Sequence, residues 1–380
     1  MIILDSLTFV PENVHRSKSQ HMKLTQVLYA GLGGHGSVVS SLIGADEKQA
    51  FAHSLIYYGV EPLNAAYRNF CIENAIPHVA IQKEAGQNKD SWKAYKKALE
   101  AQAPEVILLH STNLLIPSWQ YARRKKIRLL VVEHQSNQAK RKSEWLWSLL
   151  AMFLASRIVY LTNNYRAEIR KKLKFFYRES KTSVIPNGMD TNRFVPAETP
   201  AIPFKIGMCS RINPLRDHET LVRAFEMQAE QFPQLELHIA GDGEGLEQLR
   251  ERCAHTSFGS RIFLHGNLLE TELVAFLQSL TIYIHSTKAE TLSTAILQAM
   301  STGLPLLISR IAGTQNMFPE GKAGFFCTPG DPQDLAEKLG ILLTAETLRK
   351  EQGSAARQIV LRHYSVISMF TAYEKLLNTP

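Results

Sequence analysis

Short apolar runs alternate with amphipathic stretches along most of the chain. The runs at 54–59, 78–81, 106–111 and 127–134 are four to eight residues long and rich in branched side chains. That length and composition suit strands buried on both faces of a parallel sheet. Between them, positions 90–102 space their apolar residues at helical intervals. The pattern opens at 23–43, where Val27, Leu28 and Tyr29 read as a strand. A glycine-rich turn follows, and Val38, Val39 and Leu42 recur at helical spacing. The alternation predicts a doubly wound α/β domain.

The tone changes at 183–204, which holds four prolines and a Pro-Asn-Gly turn and reads as an interdomain linker, with the hinge at 186–204. The alternation then restarts, with strands expected at 204–210, 235–241, 262–266, 281–286 and 304–309 and a helix at 218–232. The tail at 351–378 is helical in pattern. The expected organisation is an extension over 1–22, a first domain over 23–195 that also takes a returning helix at 362–378, and a second domain over 200–361. The extension is either disordered or precedes a true start at Met22.

Charge sharpens this division. Residues 1–181 carry 26 Lys and Arg against 14 Asp and Glu, whereas the remainder carry 17 against 21. A basic front half draws anionic partners, whether nucleic acid, an acidic lipid surface or a phosphorylated substrate; a generally basic solvated surface is the alternative. Nucleic-acid binding would interleave aromatics with the cations on one surface, yet the aromatics here fall in apolar helical runs. The stretches 123–128 and 140–157 are basic, and the latter encloses WLWSLLAMFLAS, a composition used by helices that lie on membranes. A core helix with a solvated basic edge is the alternative. No run of eighteen apolar residues occurs and the start lacks the form of a secretory signal, so no spanning segment is expected. The four cysteines stand far apart, which suits a reducing cytoplasm.

Candidate chemistry sits at strand ends. Gly31–Gly36 could let a phosphate approach the backbone beneath a helix N-terminus, with Gly34 and Gly36 the contact positions, or could simply make a tight turn. Arg211 and Arg216 flank a loop after the first strand of the back half. Arginine forks suit a diphosphate there, and surface arginines beside a helix cap are the alternative. Gly241 and Asp242 lie in a second glycine-rich turn that could face a base or ribose, or could simply turn the chain. In HSTKAETLSTAILQAMSTGLP a helix is expected from about Thr291 to Ser301. Glu290 precedes it, the amides and hydroxyls of Leu292, Ser293 and Thr294 lie in its first turn, and Gln298 lies two turns on. A helix N-terminus of that kind can bind phosphate; an acid that only complements the helix dipole and an incidental buried Gln are the alternative. No Asp-x-Asp pair occurs, so a metal held by paired carboxylates is not expected.

The succession GLGGHG, VVEHQS, VIPNGMD..RF, SRINPLRDHETL, AGDGEGLEQL, FLHG and HSTKAETLSTAILQAMSTGLPLLIS resembles the family 4 retaining glycosyltransferases of GT-B fold, over residues 23–378. The bacterial cell-surface polysaccharide and lipopolysaccharide enzymes are the nearest type. The resemblance implies two Rossmann-like domains facing across a cleft, and transfer of a hexose or N-acetylhexosamine from a nucleotide-sugar. A UDP-sugar is favoured over GDP-mannose, and the acceptor is lipid-linked or a polysaccharide in cell-envelope synthesis. It implies no cofactor and no metal. The family's E-x7-E motif falls on Glu290 and Gln298, with an amide in place of the second acid. Its Arg…Lys pair falls on Arg211 and Arg216, with Arg in place of Lys. Its active-site His falls on His134, for which a structural His is the alternative, and His110 is a second candidate from its own strand-end position. The implied setting is the cytoplasm, peripheral to an anionic inner membrane face, with no nucleic-acid partner. The amide at Gln298 leaves one rival, the same fold binding nucleotide with weakened catalysis.

Overall fold

The computed structural model describes residues 21–31, 34–84, 86, 89–110, 112–135, 137, 140–198 and 204–379. Leu32 and Gly33 of the first glycine-rich turn, the extension up to residue 20, and residues 199–203 of the linker lie outside the described residues. The chain divides into two units, Met1–Gly188 with Met369–Pro380, and Met189–Ser368.

The first unit is a seven-stranded parallel sheet of order β3-β2-β1-β4-β5-β6-β7. Its strands are β1 Met22–Tyr29, β2 Phe51–Gly59, β3 His78–Gln82, β4 Val106–Leu109, β5 Arg128–Glu133, β6 Arg157–Tyr160 and β7 Thr182–Val184. All four residues of β4 are buried, as expected of a strand covered on both faces. Helices α1 Gly34–Gly44, α2 Ala65–Glu73, α3 Lys89–Gln102, α4 Leu115–Lys125, α5 Lys142–Leu154 and α6 Asn163–Leu173 make the crossovers. Strand order reverses at β1 and β4, so ligand chemistry is expected beyond the carboxyl ends of those central strands.

The second unit repeats the plan with six strands, ordered β10-β9-β8-β11-β12-β13 and all parallel. They are β8 Lys205–Cys209, β9 Glu236–Ala240, β10 Ile262–Gly266, β11 Ile282–His285, β12 Leu306–Ser309 and β13 Gly324–Cys327. Its helices are α7 His218–Ala229, α8 Leu246–Ala254, α9 Glu270–Ser279, α10 Thr294–Ser301, α11 Pro332–Thr344, α12 Glu346–His363 and α13 Val366–Asn378. From Met369 onward α13 belongs to the first unit. There Phe370 sets its ring edge against Phe51, and Arg128 donates to the carbonyls of Leu377 and Thr379.

Three strands escaped the sequence pattern. β6 runs on from the apolar helix α5 with only two residues between, so the change of period is hidden. β7 is three half-buried residues at the mouth of the proline-rich stretch read as linker. β13 is four residues long and opens on Gly324, whose added Cβ would lie 2.0 Å from the Leu306 carbonyl oxygen. No helix among the described residues is long and apolar enough to cross a membrane.

Candidate catalytic groups of the two units

In the second unit, loops 210–217, 241–245 and 286–293 follow β8, β9 and β11. Backbone hydrogen bonds join them. Asp217 N–H donates to Ser286 O at 3.1 Å and Lys288 N–H to Leu215 O at 2.9 Å, around an antiparallel bridge between Arg216 and Thr287. Ile212 N–H donates to Asp242 O at 2.9 Å, and Gly245 N–H donates back to Ile212 O at 3.1 Å. Gly241, at φ +140°, explains its own presence: an added Cβ would lie 1.8 Å from Ser210 O. The close approach that this glycine permits is to the Ser210 carbonyl, which fits the turn reading of this stretch. Asp242 caps the same turn by accepting from Gly243 N–H at 2.7 Å.

Arg216 is held inside this arrangement. Its guanidinium donates to Thr287 Oγ1 at 3.0 Å, Ala289 O at 2.7 Å and Glu290 Oε2 at 2.8 Å. The side chains of Arg216 and Glu290 are 19% and 10% exposed, so the pair is largely removed from water. Thr291 N–H donates to the other carboxylate oxygen at 3.0 Å, and the fully buried His285 ring lies 3.7 Å from Oε2. Burial opposes ionisation of Glu290, but His285 and Arg216 outweigh it and hold the carboxyl below the usual carboxylate range. Burial likewise keeps His285 below the usual imidazole range. Each carboxylate oxygen retains a lone pair for a further donor, which suits a hydroxyl-rich ligand.

The expected helix start is corrected here. α10 begins at Thr294, not Thr291, because Ser293 takes the N-cap position and accepts from Ile296 N–H. Residues 290–292 stay irregular. Gly313 packs against them so closely that a Cβ there would lie 2.0 Å from Glu290 O. Thr294 is thus the first helical residue, Leu292 precedes the cap, and the Ser293 hydroxyl is engaged within the chain. Gln298 lies half-buried on α10. Arg211 lies exposed beyond β8. The two expected arginines therefore differ, one locked to an acid and one at the surface.

His218, the first residue of α7, pins the arginine loop from behind. Its Nδ1 lies 3.1 Å from Arg216 O and its Nε2 3.2 Å from Ser210 Oγ. A carbonyl only accepts, so Nδ1 carries the proton and Nε2 accepts from the hydroxyl. Burial pushes this imidazole down to about 4, which keeps that neutral form in place near neutrality.

In the first unit, His134 follows β5, as expected, and is half-buried. Its Nε2 is 3.0 Å from His110 Nδ1, and His110 Nε2 is 3.1 Å from Gln26 Oε1. The rings stack with centroids 5.3 Å apart. Because the Gln26 oxygen accepts, His110 carries its proton on Nε2 and accepts from His134 Nε2–H through Nδ1. The basic nitrogen of His134 is then Nδ1. The next residue back, Glu133, is buried and accepts at Oε2 from Ser148 at 3.0 Å, from Tyr165 at 2.9 Å and from Lys140. Gly34 opens α1. Gly36 packs under Tyr67, whose ring lies 2.0 Å from an added Cβ. Among the described residues no cluster of three or more His, Cys, Asp or Glu is placed to hold a metal ion.

The sequence reading missed Gln26, His218 and His285 as partners of the expected residues, and the buried Glu133 next to His134. Gln26 left a trace as the lone amide in an apolar strand, and Glu133 as an acid beside His134. His285 and His218 lay inside recognised motifs without a stated role.

Comparison with known proteins agrees with this architecture. Residues 32–193 match the family model described as Glycosyltransferase Family 4, and residues 192–359 match the one described as Glycosyl transferases group 1. Sulfoquinovosyl transferase SQD2 of Arabidopsis thaliana is 33% identical over 132 residues, 34% of this chain and 25% of that protein. An uncharacterized glycosyltransferase of Methanocaldococcus jannaschii is 24% identical over 66% of this chain and 68% of its own length. The chain thus spans only a quarter of the plant relative. The crystal structure of Anabaena HepE in complex with UDP and glucose superposes with a TM-score of 0.82 at 17% identity, covering 95% of this chain and 100% of that one. The two matched segments meet near the boundary of the two Rossmann-like units and run from residue 32 to residue 359, and the chain belongs to the family 4 glycosyltransferases of GT-B fold.

Proposed function

We propose that this chain moves a hexose or N-acetylhexosamine from a UDP-sugar to a lipid-linked or polysaccharide acceptor of the cell envelope, with retention of configuration and without a metal. The acceptor would be met at an anionic membrane surface. The carrying observation is the Glu290 carboxylate, kept ionised by Arg216 and His285 just before α10. A fixed, charged acceptor of hydrogen bonds suits sugar hydroxyls. The α10 amides beside it suit phosphate.

The bond from sugar C1 to the diphosphate oxygen breaks as the bond from C1 to the acceptor oxygen forms. The acceptor proton passes to the departing diphosphate on the same face. Negative charge grows on that diphosphate, and Arg211, Arg216 and the α10 N-terminus are the groups assigned to stabilise it. Gln298 is assigned to the ribose hydroxyls and His134 to the acceptor side. The UDP bound to the HepE structure supports uridine in the donor.

The test is UDP release from UDP-glucose and UDP-N-acetylglucosamine, with GDP-mannose as comparator, in chelator and with Glu290→Gln as control. Expected are turnover with a UDP-sugar, insensitivity to chelator, and loss in the variant. Tight UDP binding with no turnover of any donor would instead favour the weakened nucleotide-binding reading that Gln298 raises. Product anomeric configuration by NMR decides retention.

A further inference from the structure

Helix α5 carries a face that the first unit leaves uncovered. Leu146 and Phe153, seven residues apart and so on one side of the helix, are 54% and 45% exposed. The residues α5 buries are Ser148, Ala151 and Met152. Beyond α6 the one-turn helix Lys174–Phe176 extends the same patch. Phe176 is 40% and Phe175 83% exposed, their ring centroids are 4.0 Å apart, and the Phe176 ring lies 6.0 Å from that of Phe153. Lys181 fastens this region, donating to the carbonyls of Met152, Phe153 and Ala155 that end α5.

Cations rim the patch. The Lys172 ammonium lies 5.5 Å from the Trp145 ring centroid and the Arg178 guanidinium 5.5 Å from that of Phe153. Lys171 and Lys174 are exposed beside them. Among the described residues none of these four makes an ion pair. The neighbouring acid, Glu179, is taken by Arg166 at 3.2 Å and Arg170 at 3.6 Å. Clustered, exposed aromatic residues rarely stand on a surface without a partner. Unpaired cations around them select a partner that is apolar within and anionic at its surface. A second copy of this chain fits poorly, because a two-fold contact would set the same cations against each other.

We propose that α5 and the turn at 174–178 form a docking surface for an anionic phospholipid bilayer. Phe153, Phe175 and Phe176 enter the boundary between headgroups and acyl chains, and Lys171, Lys172, Lys174 and Arg178 lie over the lipid phosphates. This deepens the reading of a membrane-presented acceptor and rests on it only for its purpose, since binding is measured without donor or acceptor.

The experiment is flotation of the full chain with phosphatidylcholine vesicles and with vesicles that also contain phosphatidylglycerol, at low and high salt. The wild type is expected on the anionic vesicles alone. The double variant Phe175→Ser, Phe176→Ser, altered at exposed positions and checked by its thermal midpoint, is expected to partition at least about tenfold more weakly. Changing Lys171, Lys172 and Lys174 to Gln is expected to cost roughly fivefold per charge and to flatten the salt dependence. No flotation of the wild type, or equal flotation of the double variant, overturns the proposal. So does self-association that the double variant abolishes, which assigns the patch to a second copy. UDP release in solution is followed in parallel, so failure here leaves the transferase reading standing.

Discussion

The two units share strand order yet hold their polar groups by different means. In the second, three loops are joined through backbone hydrogen bonds, and Arg216 and Glu290, besides pairing with each other, are each tied to a backbone group, the Ala289 carbonyl and the Thr291 amide. In the first, His134 is set by a file of side chains, through His110 to Gln26. Backbone fixing makes geometry robust and substitution costly. Side-chain fixing makes geometry depend on which ring nitrogen holds a proton.

The largest effect should come from breaking the largely buried ion pair. Glu290→Ala strands the Arg216 charge and should lower stability by roughly 3 kcal/mol, read from the urea midpoint. An unchanged midpoint would mean that the backbone bonds alone hold the loops.

Acid should act on the same unit. His218 is neutral when folded, with its imidazole near 4, whereas the unfolded side chain titrates near 6.5. Below 6.5 the unfolded chain therefore binds the extra proton first. Stability is fully present above that pH and falls by about 3 kcal/mol as pH drops from 6.5 to 4. Ser210, the Arg216 carbonyl, Asp217 and His285 surround the ring. Below the usual carboxylate range, protonation of Glu290 adds to the loss. His218→Gln should flatten the profile in pH-dependent denaturation.

The glycines give a direct contrast. Gly241→Ala meets a carbonyl at positive φ and should cost about 3 kcal/mol, since neither backbone can yield. Gly36→Ala meets only the Tyr67 ring and should cost nearer 1 kcal/mol. Equal losses in thermal midpoint would erase the distinction between the units.

A smaller effect should follow from His110→Gln, which keeps a hydrogen-bonding side chain but loses the ring that orients His134. About a tenfold fall in kcat with little change in donor KM is expected, together with a shifted pH profile. Gln298→Glu should matter least, changing donor KM by only a few fold, because amide and acid both accept from a diol.

Much of this architecture was legible before any coordinates. Short apolar runs gave nine of the strands within three residues at either end and the carboxyl end of β1, and the strand-end positions of His134, Arg211 and Arg216 followed from them. What stayed hidden was pairing. Nothing in the spacing of Arg216 and Glu290 says that they meet, because the contact depends on β8 and β11 lying side by side in the sheet. The helix start at Thr294 was missed because Thr291, Ser293 and Thr294 are all plausible caps, and the packing of Gly313 on Glu290 decides among them. The glycines of 241–245 were legible as close approach, but sequence does not say to what.

The return of the last dozen residues to the first unit has a practical consequence for anyone recombining such proteins. Gly188 N–H sits 3.0 Å from the sulfur of Met369, and Arg128 reaches the final carbonyls. A gene fragment ending at Gly188 would therefore leave one half without its closing segment. Chimaeras with other family members need two junctions, one on each side of the second unit, rather than a single splice.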